Sequence, residues 1–134
     1  ELMVRAVPGT NHIAWQLGHL IASEHKMMTD SGFKMPTLPG GFAESHGKEA
    51  SNSDDPKRFH KKSQYLDWLM QQRTATMAAL DAASDTSLGK ATPEAMKDYA
   101  PTAAAAFNMI GVHTMMHGAQ FVAVRRKLGK PVLI

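Results

Sequence analysis

No cysteine occurs among the 134 residues, which removes disulfides, thiolate metal sites and cysteine nucleophiles together. Any metal must then rest on nitrogen and oxygen donors. There is no apolar run near the roughly 20 residues of a membrane span, and no basic segment followed by an apolar signal core. These absences are compatible with a cytoplasmic protein that stays out of the membrane. Alternating strand patterns are missing as well; the short apolar end Val132-Leu133-Ile134 reads as a tail. Strong charge of one sign is also lacking. The formal net charge is +3, and the basic residues are interleaved with Asp and Glu except at Lys57-Arg58, Lys61-Lys62 and Arg125-Arg126-Lys127. That balance argues against nucleic acid as a partner. The last basic group falls at the end of a helical pattern, where cations oppose the negative end of the helix dipole.

What remains is helical periodicity, ten methionines and seven histidines. The length suits a single domain over residues 1–134. A helix is expected from about Asn11 to Met28, with Thr10 or Asn11 as cap and Ile13, Leu17, Leu20 and Ile21 as its apolar stripe. A second is expected from about Lys57 to Ala83, with Leu66, Leu69, Met70, Met77 and Leu80 as its core face. A short one near Pro93 to Tyr99 is capped by Thr92. Pro101-Thr102 starts the last long helix, Ala103 to about Leu128, and Gly129 with Pro131 stops it. Between the first two helices, residues 29–55 are rich in Gly, Pro, Ser and charge and show no period. Connections that long tend to be functional covers or disordered; Phe33, Met35, Leu38 and Phe42 argue that this one packs on the helices. The abrupt apolar start Leu2-Met3-Val4 reads as the end of a further helix, most of which lies outside this chain. The expected fold class is therefore all-α, an antiparallel helical bundle with its first helix largely missing and a long irregular loop over 29–55.

The chemistry sits in the last helix. Phe107, Ile110, Phe121 and Val124 form an apolar stripe, and His113, His117 and Gln120 continue it. Histidines four apart lie one above the other on a helix, within reach of one ion. A third ligand must come from elsewhere, and His19 on the first helix is the candidate. His12, about 10 Å away along that helix, is expected at the surface or against a ligand histidine. Glu44 and His46 in the 29–55 loop are weighed as solvated residues first and site residues second. Gln120, one turn beyond His117, is a candidate to orient a water or hydrogen-bond a ligand histidine. Glu24 lies five residues past His19 and so points elsewhere, which leaves no evident carboxylate base. Ligand imidazoles must be neutral, so metal loss is expected below about pH 6.

Asn11-His-Ile-Ala-Trp15-Gln-Leu-Gly18-His19-Leu, together with His113-x3-His117-x2-Gln120 and the closing Arg125-Arg126-Lys-Leu-Gly129-Lys-Pro131, resembles the DinB-like family, whose members include damage-inducible proteins and thiol transferases. Residues 56–83 match more loosely, and 29–55 are not covered. The resemblance implies a four-helix bundle in which His19, His113 and His117 hold a divalent metal, Zn or Ni above others, and frequently a homodimer. It also implies an enzyme acting on a small-molecule substrate, a hydrolase or transferase activating a water or a low-molecular-weight thiol. The rival expectation is a non-catalytic metal-binding or dimerisation bundle in stress response.

Overall fold

The computed structural model describes residues 1–132; Leu133 and Ile134, which include most of the expected tail, lie outside the described residues. Three long helices carry the fold, and no strand occurs among the described residues: α1 (Ile13–Asp30), α3 (Lys62–Asp81) and α5 (Ala103–Lys127). Two single-turn helices, α2 (Phe42–Ser45) and α4 (Asp85–Leu88), and 3-10 turns at Lys48–Asn52, Pro56–Arg58 and Glu94–Met96 complete it.

α1 is the central element, packed on α3 along one side and on α5 along another. Its stripe buries as its spacing predicts: Leu17, Leu20 and Ile21 are buried, and Ile21 with Leu17 packs on Phe42 and Tyr65. At its far end Met27 and Met28 meet Ala106 and Ile110 of α5 with Met96 and Ala100 from the connection before it. The cap differs from the expected Thr10 or Asn11. His12 occupies it, accepting the Trp15 N–H on Nδ1 at 3.0 Å, while Nε2–H donates to the Ser53 carbonyl at 3.0 Å. Both ring nitrogens are thus satisfied, which is why a residue expected at the surface is wholly buried.

Residues 1–12 hold turns and bends; the expected helix end at Leu2–Val4 is a single turn closed by Val4 N–H on the Glu1 carbonyl. Leu2 and Met3 fold back onto the α1 and α3 cluster. The 29–55 segment is irregular and packs on the bundle, as its scattered apolar residues predict, through a buried Phe42 and Ala50.

α3 departs most from expectation. It starts at Lys62, later than predicted, because Asp55 accepts the Lys57 N–H and closes a 3-10 turn over Pro56–Arg58. Its assigned core face is also largely reversed. Leu66, Met70, Met77 and Leu80 are exposed, Leu69 packs only in part, and the fully buried positions are Tyr65, Gln72 and Thr76. The reason is polar pairing with α1. Glu24, 2% exposed, takes a two-point ion pair from Arg73 at 3.0 Å and the Thr76 hydroxyl at 2.7 Å. Arg73 also donates to Thr114 on α5 at 3.1 Å, so one carboxylate ties three helices together. A buried charge is tolerated only where such partners surround it, and these partners define the inner face of α3.

The predicted helix near Pro93 to Tyr99 is instead a 3-10 turn at Glu94–Met96. Thr92 commits its hydroxyl to the Ala100 carbonyl, closing the loop on itself. α5 begins on Thr102, whose hydroxyl accepts the Ala105 N–H. It ends where Gly129 takes φ +65°, allowing the Lys130 N–H to reach the Arg125 carbonyl at 2.9 Å.

Candidate metal centre

His19 on α1 and His113 and His117 on α5 converge. One ring nitrogen from each lies within 4.8 Å of the other two. His113 and His117 approach to 3.2 Å between their Nε2 atoms. Two imidazoles bound to one tetrahedral ion at about 2.0–2.1 Å stand about 3.3 Å apart, so the α5 pair has the right spacing. The His19 nitrogen needs to close by at most about 1.5 Å. The donor set is nitrogen alone: among the described residues no carboxylate belongs to the cluster.

The tautomer of His117 follows from a chain of hydrogen bonds. Gln16 Nε2 donates to the Asn11 carbonyl at 2.8 Å, which can only accept, so the amide oxygen Oε1 faces His117 at 2.9 Å. His117 Nδ1 must then carry the proton, and Nε2 presents its lone pair to the centre of the cluster. Gln16 and His117 are both buried, so no water competes for these bonds. His113 Nε2–H can donate to His117 Nε2, and with the His113 proton on Nδ1 instead, both Nε2 lone pairs would be free to hold an ion.

His19 is set by stacking. The Trp15 indole lies parallel to its ring, 4.7 Å between centroids and 8° between planes. Trp15 in turn donates its indole N–H to the Gly47 carbonyl at 3.0 Å. Beside Gly47, His46 is buried; its Nδ1–H donates to the Phe42 carbonyl and its Nε2 accepts the Tyr65 hydroxyl, each at 2.8 Å. Gly18 leaves room for that ring, since a β-carbon there would stand 2.0 Å from it. The irregular segment therefore positions the third histidine through Trp15.

Burial governs the electrostatics. It pushes the pKa of His117 down to about 4, with the neighbouring His113 and His19 adding to the effect. His19 is lowered by burial and by His113, and His113 by burial. All three are thereby held as the neutral bases that a cation requires.

Two candidates from the sequence fall elsewhere. Gln120 lies on an exposed side of α5, and the hydrogen bond foreseen for it is made by Gln16. Glu44 is exposed, away from the cluster, and Glu24 is committed to Arg73 and Thr76. Sequence reasoning passed over Gln16, although its position three residues before His19, on one helix face, was a usable signal.

A helical bundle with an internal three-histidine cluster is the class that fold and site define. A family model described as the DinB superfamily matches residues 1–121, and the chain belongs to that superfamily. Neither a curated protein nor a solved structure matches it.

Proposed function

We propose that this protein is a divalent-metal-dependent enzyme in which His19, His113 and His117 hold one ion, Zn or Ni, and a small substrate reacts beside it with a water or a low-molecular-weight thiol. The observation that carries this reading is the convergence of three neutral imidazoles, one with its tautomer fixed by Gln16. When bound, such an ion supplies Lewis-acid polarisation and lowers the pKa of a water or thiol beside it.

The chain's own residues do the rest. Gln16 keeps the His117 proton on Nδ1, away from the centre. Trp15 covers one face of His19 and shields it from water. His19 and His113 remain partly accessible while His117 is buried, so approach is from the side of the first two. Among the described residues no carboxylate belongs to the cluster, so no Asp or Glu there stands ready to remove a proton. Transfer of a thiol that ionises readily suits that arrangement better than hydrolysis.

Metal analysis of the purified chain against His113→Ala tests the reading. One ion per chain, lost in the variant, is expected; equal metal content in both refutes it. A second reading, a bundle that binds metal without turnover, draws on the same lack of a base. It predicts a large fall in Tm on metal removal and no turnover of thiol-transfer or ester substrates. We also propose a homodimer, supported by the exposed Leu66, Met70 and Met77 along α3 and Val112, Met115 and Met116 on α5. Sedimentation at micromolar concentration is expected to give twice the chain mass, and a monomer there refutes it.

A further inference from the structure

A cavity of about 270 Å³ lies against the histidine cluster, with the His113 ring in its wall. α1 beyond His19, the first turns of α5 and the connection that holds Met96 line it, and one side is open to solvent. Met27, Met96 and Met109, with Tyr99, make its apolar surface. Met27 and Met96 also belong to the buried core, so this wall is built by the fold itself. The charged residues at the cavity, Lys26 and Asp30, pair with each other at 2.6 Å one turn apart on α1, so the two charges offset each other and the cavity carries no net charge of either sign.

We infer that this cavity binds a compact, uncharged apolar group of the substrate, an alkyl, aryl or thioether moiety, and thereby sets the reacting end beside His113. The inference rests on the metal-site reading above and adds the substrate class to it. The volume is close to the lower end of the about 300–1,000 Å³ typical of small-molecule sites, room for one ring or a short chain. Thioether side chains adapt their shape at low cost, so the pocket selects for apolarity more than for outline. Met27 is about 12 Å along α1 from His19 at about 1.5 Å per residue, which makes the cavity an extension of the site along the helix.

Carbon-13 labelling of the methionine methyls in the full chain provides the test, with benzyl alcohol as probe and benzoate and benzylamine in parallel. Saturable shifts at Met27, Met96 and Met109 are expected, with Met70, Met77, Met115 and Met116, which lie outside the cavity and, in a dimer, against the second copy, unmoved. The two charged analogues should bind about tenfold more weakly or worse. Met109→Trp, which fills the space, should abolish the shifts at Met27 and Met96. The inference is overturned if the three cavity methyls stay still, or if the methionines outside the cavity shift alike. Metal uptake by the same sample is measured separately. Full uptake with unmoved cavity methyls overturns the cavity inference alone, and methyl shifts without any uptake overturn the metal reading on which the substrate assignment depends.

Discussion

Replacing Gln16 by leucine separates ion binding from folding. In the wild type the amide oxygen holds the proton on His117 Nδ1 at 2.9 Å in a buried setting. In the Gln16→Leu protein no acceptor remains, and the metal-free form escapes by moving the proton to Nε2, where it points at His113. Ion binding must reverse that move and leave Nδ1–H buried without a partner, at a cost of about 1–3 kcal/mol. Metal affinity should therefore fall roughly 10–100-fold, while the metal-free protein loses only about 1 kcal/mol with the bond from Gln16 to the Asn11 carbonyl. Competition against a chromophoric chelator reads the affinity, and thermal melts read the stability. Gln16→Glu keeps an acceptor for Nδ1 and should bind metal at least as tightly as the wild type. Affinity in Gln16→Leu within about twofold of wild type, or a Gln16→Glu protein as weak as Gln16→Leu, would refute the tautomer reasoning.

The depressed pKa values give an acid limb. His117 is neutral in the folded state down to about pH 4 while the unfolded chain takes up its proton near pH 6.5. The unfolded state thus binds more protons between these values, and stability falls as pH drops through that window, by on the order of 3 kcal/mol for this residue. His12, His19, His46 and His113 shift the same way; a flat urea midpoint from pH 7 to pH 4.5 would contradict it. The same burial lowers the pKa of all three ligand imidazoles, so metal release should come at lower pH than free imidazoles would give; half-loss of metal at or above about pH 6.5, the ordinary imidazole value, would count against it. Gly18→Ala should cost about 1–3 kcal/mol, because the new methyl meets the His46 ring. Adding His46→Ala should restore part of the loss, and a Gly18→Ala protein with unchanged Tm would show that the ring moves freely. Tyr65→Phe removes the hydroxyl that His46 accepts and that takes the His60 N–H, for a loss of about 1–3 kcal/mol in denaturant melts; no change there would place the network outside the energetics of the fold.

The sequence by itself determined what is local. The stripe of α1, that of α5 apart from the exposed Gln120, the Thr102 cap and the Gly129 stop follow from spacing and terminal chemistry within a few residues. The placing of His113 and His117 one turn apart is of the same kind. Tertiary structure alone decided which face of α3 turns inward. A periodicity argument treats polar residues as outward, whereas Tyr65, Gln72 and Thr76 are buried by partners on other segments: His46, Pro36 and Glu24. His12 and His46 became buried for the same reason, each finding acceptors or donors dozens of residues away or across a loop. Gln16 reaches His117 across 101 residues of chain. Hydrogen-bond partners distant in sequence leave no periodic trace, because the burial of a polar group depends on what faces it and not on its neighbours along the helix.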